Sequence, residues 1–302
     1  MASRSSSPPP DYRGRLAPSP TGFLHVGHAR TFWSAFERAR NAAGSLVIRM
    51  EDLDPDRSRD DYAQAALEDL RWLGICWQEG PEEGGPCAPY AQSQRRATYL
   101  AAWRKLLEGG YLFPCRCTRK DLEAALSAPH ESVSSGAIEA HNSGEPEPLD
   151  DEPIYSGTCR TNKIDASSIA EPGNYNWRFR VPDGEAIEFD DVNLGPQRFI
   201  AGTDFGDFVV WRRDGVPSYQ LACMADDDAM KITEVVRGED LLKSTARQIL
   251  LYRALKIDPP AWFHCRLITD SHGRRLAKRH DALSLRRLRS QGNSPAQLRA
   301  RW

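Results

Sequence analysis

The apolar positions of this chain change their spacing repeatedly, and each change marks an element. Arg15, Leu16 and Ala17 close a short strand. Pro18, Ser19, Pro20, Thr21 and Gly22 then break it, because two fixed φ angles and a glycine make a rigid turn. From Ala29 to Arg40, Phe32, Phe36 and Ala39 recur at helical spacing. The apolar run Leu46–Ile48 predicts a buried strand. Leu67, Leu70 and Leu73 give Asp60–Gly74 one apolar face, and a further helix is expected over Ser93–Glu108, stopped by Gly109 and Gly110. The period falls to two in Tyr175–Val181, which predicts a strand, and Glu188–Val192 and Phe208–Arg212 predict more. A β-branched run ending at Arg237 and Gly238, followed by apolar positions from Ile249 to Leu255, predicts a right-handed β-α-β unit.

Polar stretches separate these elements. Ser127–Glu152 has no aromatic residue and is rich in Ser, Ala, Pro and Glu, so it cannot bury enough to order itself and is expected as a disordered insertion. His130 and His141 inside it are expected to be solvated. Residues 1–14 read as a disordered tail, Ser/Pro-rich and without the apolar core of a secretory signal. The layout expected is a first catalytic half over 15–110, an inserted β-containing subdomain over 111–203, and a second half over 204–302.

Composition narrows the class. At 302 residues and 40% hydrophobic the chain can bury a real core, and a net charge of −2 argues against a globally basic nucleic-acid binder. Charge is uneven, however: between Arg274 and Arg301 nine Lys or Arg face one acid, Asp281. No apolar run reaches membrane-span length, and seven cysteines without an export signal argue against disulfides. A cytoplasmic monomer with no membrane partner is expected.

The chemistry concentrates at strand ends. His25, Gly27 and His28 sit where the first loop enters a helix, and a helix N-terminus receives phosphate readily. Glu51, Asp52 and Asp54 fall at the carboxyl end of the second strand, where open parallel sheets collect ligands and a carboxylate can hold an ammonium group. Arg237 occupies the corresponding place on a later strand, and an arginine there can grip a carboxylate bidentately.

The run Ala17-Pro-Ser-Pro-Thr-Gly-Phe-Leu-His-Val-Gly-His28 resembles the HIGH-type signature of class I aminoacyl-tRNA synthetases, in its glutamyl and glutaminyl form. Arg49-Met-Glu-Asp-Leu-Asp54, the stretch from Asp204 to Ala222 and the loop Arg275-Leu-Ala-Lys278-Arg279 resemble the same family, the last as its KMSKS loop. The resemblance implies an α/β architecture: a class I synthetase Rossmann-type nucleotide-binding fold with an inserted zinc-binding, acceptor-binding-like subdomain. It implies ATP held by His25, Gly27, His28 and Lys278, with His25, His28 and Lys278 catalytic and Mg²⁺ accompanying the ATP. It implies L-glutamate held by Arg15, Ala17, Ser19, Glu51, Tyr219 and Arg237. Cys115, Cys117, Tyr155 and Cys159 resemble that family's zinc site, implying one Zn²⁺ per chain, because three thiolates and one oxygen complete a tetrahedron.

Some positions depart from the pattern. Cys117 and Tyr155 are unusually far apart, Ala277 lacks the expected hydroxyl, Arg275 replaces a lysine, and Met230-Lys231 stands where smaller residues are expected. The chain ends at Trp302, soon after the KMSKS-like loop and without an anticodon-binding domain. In this it resembles the glutamyl-queuosine tRNA(Asp) synthetase branch, which implies transfer of activated glutamate to the queuosine base at the wobble position of tRNA(Asp). A short glutamyl-tRNA synthetase and a non-catalytic tRNA- or nucleotide-binding paralogue are the other readings.

Overall fold

The computed structural model describes residues 12–117, 154–161, 169–267 and 284–300. Residues 1–11 of the expected tail, the Ser127–Glu152 insertion with His130 and His141, and the loop holding Arg275, Ala277 and Lys278 lie outside the described residues. The tail's last three residues, by contrast, are ordered: Tyr12 is buried, and Arg13 and Gly14 open the first strand.

β1 (Arg13–Leu16) and β2 (Ser45–Ile48) pair in parallel and are joined by α1 (Val26–Asn41). The return from helix to strand is tight at Gly44, where a Cβ would come 2.3 Å from the Tyr12 carbonyl oxygen. α2 (Asp60–Trp72) buries Leu67 and Leu70 against this first core. A 3₁₀ turn at Gln92–Gln94 precedes α3 (Arg96–Glu108), so that helix starts three residues later than the expected Ser93.

β3 (Leu112–Cys115), β4 (Asn176–Phe179) and β7 (Phe208–Trp211) form an antiparallel sheet over a tryptophan core, with Trp103 edge-on to Trp177 at 5.1 Å. β5 (Ala186–Asp191) and β6 (Gly195–Ile200) make a hairpin, and β5 also pairs in parallel with β9 (Ala261–Cys265). β9 in turn pairs in parallel with β8 (Glu234–Gly238), giving the order β6-β5-β9-β8. Sheet pairing therefore crosses residue 203 in both directions. β7 joins the strands of the inserted segment, while β5 and β6 join the strands of the second half.

α4 (Tyr219–Ala229) precedes β8, and α5 (Leu242–Leu255) connects β8 to β9. The Thr233 N–H donates to the Arg13 carbonyl at 2.9 Å, which sets β1 beside β8. The short helices α6 (Leu285–Ser290) and α7 (Pro295–Arg299) return to the first half, burying Leu285, Leu288 and Leu298 in its core. Among the described residues no helix is long and apolar enough to cross a membrane.

Candidate active site and metal cluster

α1 begins three residues before the predicted start because His25 caps it: the His25 Nδ1 accepts the Gly27 N–H at 3.1 Å. The His25 and His28 rings stack with centroids 3.7 Å apart. Gly27 makes this possible, since a Cβ there would lie 2.9 Å from the His25 Cε1. Two imidazoles and a helix N-terminus thus form one electropositive, donor-rich edge suited to phosphate oxygens. After the KMSKS-like loop the chain comes back to this edge, where His25 bridges Ser284 and the Leu285 N–H donates to the Leu24 carbonyl at 2.8 Å.

Arg15, Glu51, Tyr219 and Arg237 converge from β1, the segment after β2, α4 and β8. Arg237 donates through Nη1 to the Tyr219 hydroxyl at 3.2 Å. Glu51 accepts at one oxygen from Arg49 Nη2 and from the Cys223 thiol, each at 3.1 Å, and Cys223 lies one helical turn after Tyr219. Arg15 donates to the Val236 carbonyl at 2.9 Å and lies 3.4 Å from the Asp227 carboxylate. Burial pushes the Tyr219 phenol well above its ordinary pKa; Cys223 and Glu51 add to this, while Arg237 and Arg15 oppose it. The Tyr219 hydroxyl therefore stays protonated and can both donate and accept. Ala17 is half-buried and Ser19 exposed, on a turn where the Glu51 N–H donates to the Pro18 carbonyl at 2.9 Å.

Arg237 is held from behind by Thr245 and His264, and His264 by Asp191. None of these three, nor Arg49, Cys223 or Asp227, was singled out from the sequence. A charged residue at Arg49, continuing the apolar strand Leu46–Ile48, is a signal that could have pointed to a buried counter-charge.

On the inserted sheet, Cys115 ends β3 and Cys117 follows it. The Tyr155 hydroxyl lies 3.4 Å from the Cys115 Sγ and 3.6 Å from the Cys117 Sγ, and it accepts the Cys159 N–H at 2.7 Å. Cys117 and Cys159 are 3.7 Å apart at sulfur, and all three sulfurs lie within 4.8 Å of one another. A tetrahedron with metal–sulfur bonds of about 2.3 Å separates sulfurs by about 3.8 Å, so this set could hold a metal ion. The long stretch between Cys117 and Tyr155 does not keep the four apart. A cavity of about 530 Å³ adjoins the cluster, lined by Cys115, Arg116, Asn174, Tyr175 and Arg213.

Comparison with known proteins identifies the family. The family model "tRNA synthetases class I (E and Q), catalytic domain" matches residues 12–300. A Glutamyl-Q tRNA(Asp) synthetase of Nitratidesulfovibrio vulgaris is 46% identical over 282 residues, covering 93% of this chain and 82% of that protein. One from Symbiobacterium thermophilum is 47% identical over 284 residues, with the same coverage. The solved glutamate-tRNA synthetase of Elizabethkingia anophelis superposes with a TM-score of 0.72 at 31% identity, covering 89% of this chain and 53% of that one. The chain thus spans about half the length of that solved relative. By family match, sequence identity and fold alike, it belongs to the class I aminoacyl-tRNA synthetases of the glutamyl and glutaminyl kind, which are ligases.

Proposed function

We propose that the chain activates L-glutamate with ATP and transfers it to the queuosine base at the wobble position of tRNA(Asp). The convergence of one carboxylate, Glu51, with two cations, Arg15 and Arg237, carries the glutamate assignment. Glu51 receives the α-ammonium group, Arg237 and Arg15 receive the side-chain carboxylate, and Tyr219 hydrogen-bonds the substrate. A neutral amide would gain less from two cations than a carboxylate does. The queuosine assignment draws support from the names of the relatives at 46% and 47% identity.

In the first step a glutamate α-carboxylate oxygen attacks the α-phosphorus of ATP. A P–O bond forms, the bond to the β-phosphate bridge breaks, and pyrophosphate leaves. His25, His28 and the N-terminus of α1 meet the phosphate oxygens, and Lys278 is the sequence-derived cation for the same charge. Mg²⁺ bound with ATP supplies further charge neutralisation. In the second step a hydroxyl of the modified base attacks the acyl carbon, loses its proton, and displaces AMP. No covalent bond to the enzyme is required.

Cys115, Cys117, Tyr155 and Cys159 would hold one Zn²⁺, which would staple the loop Tyr155–Cys159 to the end of β3. Arg116, Tyr175 and Arg213 beside it offer guanidinium groups to phosphate and an aromatic face to an unstacked base.

Glutamate-dependent ATP–pyrophosphate exchange with purified protein and no tRNA tests the reading. Robust exchange, followed by glutamylation of queuosine-containing tRNA(Asp), is expected. Exchange only after addition of tRNA(Glu) would favour a glutamate–tRNA ligase, the activity named for a Nitrosococcus oceani relative at 40% identity. No exchange in either condition would favour a non-catalytic paralogue.

A further inference from the structure

Three neighbouring strands each contribute one buried polar residue to a single line. Arg237 on β8 is the register partner of His264 on β9, and Asp191 on β5 is the register partner of Trp262 on β9. The Arg237 Nε lies 3.3 Å from the His264 Nε2, and the His264 Nδ1 lies 2.6 Å from the Asp191 Oδ2. His264 is fully buried.

The chemistry of the donors fixes the protons along this line. A guanidinium and a carboxylate leave one arrangement for a neutral ring: Asp191 accepts at Nδ1, and Nε2 presents its lone pair to the Arg237 Nε–H, with the Thr245 Oγ1 also 3.0 Å from Nε2. The imidazole proton then sits on Nδ1, where the Asp191 carboxylate accepts it. Asp191 is itself held by the backbone N–H groups of Asn193, Leu194 and His264. Burial pushes the His264 pKa below its ordinary value, although Asp191 opposes this, so the ring stays neutral near pH 7.

Counting donors on Arg237 shows what this clamp achieves. Of its five N–H groups, Nε–H goes to His264, one on Nη1 goes to the Tyr219 hydroxyl, and one on Nη2 goes to Thr245 Oγ1 at 2.7 Å. Among the described residues one N–H remains on each terminal nitrogen. That pair is what a bidentate carboxylate accepts.

We propose that His264, clamped by Asp191, is the positioning residue that aims the remaining N–H pair of Arg237 at the side-chain carboxylate of glutamate. In doing so it sets the preference for glutamate over glutamine. This rests on the reading of Arg237 as the carboxylate grip. A phenylalanine would fill the same space, but it would leave the Arg237 Nε–H without an acceptor and the guanidinium unlatched on one side.

The test compares His264→Phe with His264→Gln in the full chain. His264→Phe keeps the volume without an acceptor, whereas the amide oxygen of His264→Gln can accept from Arg237. Glutamate-dependent pyrophosphate exchange is expected to show a glutamate KM raised about 10- to 100-fold in His264→Phe, a misplacement-sized loss. The ATP KM should stay unchanged, discrimination against glutamine should fall, and His264→Gln should recover most of the loss. Equal defects in both variants, or a shift in ATP KM as large as that for glutamate, would make the role merely structural and overturn the proposal. If His264→Phe does not fold, nitrogen-15 NMR of the unaltered protein decides: protonated Nδ1 is expected, and protonated Nε2 overturns the relay. Absence of exchange in the unaltered protein would instead remove the glutamate reading on which the relay's purpose depends.

Discussion

Lys231 follows the last residue of α4's C-cap with φ at 55°, in the left-handed region where a Cβ is disfavoured. The turn cannot relax, because Met230 is buried and its carbonyl accepts the Arg13 Nε at 2.6 Å. The Lys231 ammonium pairs with Asp228 at 3.2 Å, but the side chain is 76% exposed and the pair contributes little. Lys231→Gly should therefore raise stability by about 0.5–1 kcal/mol, read from the denaturant midpoint. An unchanged or lower midpoint would contradict this.

Asp69 carries a different strain. It is fully buried on α2, neither oxygen accepts a hydrogen bond among the described residues, and the Arg286 Nε stands 3.9 Å away. Burial pushes its pKa up to about 6, against the opposing charges of Arg286 and Arg289. The folded state thus holds this proton more tightly than the unfolded chain, whose carboxyl titrates near 3.8. Ionisation costs nothing below about pH 4, costs progressively more up to about pH 6, and carries its full penalty above that. Asp69→Asn should accordingly stabilise by about 3 kcal/mol at pH 7.5 and by almost nothing at pH 4. A gain of equal size at both values would show that charge is not the cause.

At the scale of elements, legibility followed how local the signal was. The helices α1, α2 and α5 and the strand β4 repeat apolar residues at their own period, β2 is a continuous apolar run, and α3 is marked by the glycines that stop it, so local pattern located them. α4 did not announce itself, because it is buried on nearly every side and ends in Asp226, Asp227 and Asp228. The candidate site divides the same way. His25, Gly27 and His28 sit within one turn, and Glu51 and Arg237 stand at strand ends that the pattern reveals. Asp191 and His264 are 73 residues apart, and nothing near either one points to the other.

The start of α1 yields its own prediction. Gly27 matters as space for the His25 ring, so Gly27→Ala should displace that ring and leave the helix itself intact. We expect unchanged helical circular dichroism and exchange activity reduced at least about tenfold, chiefly through ATP KM. A helix that melts, or ATP affinity that is preserved, would show that the glycine serves another purpose.

Across the whole molecule, the two halves of the fold are joined by a buried ionic cluster. Arg15 on β1, Arg49 after β2 and Arg95 before α3 meet Asp226 and Asp227 on α4, with Glu51 at the edge. Asp226 also accepts from Gln92 Nε2 and the Tyr99 hydroxyl, each at 2.8 Å. Arg49 is the hub: it has no exposure and touches all three carboxylates, Asp227 at 2.8 Å, Glu51 at 3.1 Å and Asp226 at 3.6 Å. Desolvating so many charges is costly, and only their mutual attraction offsets it. Arg49→Met removes one cation and leaves the three carboxylates sharing the remaining two, so a loss of about 3–5 kcal/mol is expected. Urea unfolding should show a lower midpoint with an unchanged slope, because the two halves unfold together. Arg49→Met combined with Asp227→Asn should recover part of that loss, since removing both charges leaves less uncompensated than removing one. A single-variant loss below about 1 kcal/mol, or a double variant no better than additive, would mean that the halves are held by apolar packing alone. The cluster also reaches function, because Arg49 fixes one oxygen of Glu51, the carboxylate proposed to receive the substrate amine. Arg49→Met should therefore raise glutamate KM even where the protein remains folded, tying the seam between the halves to the pocket that lies on it.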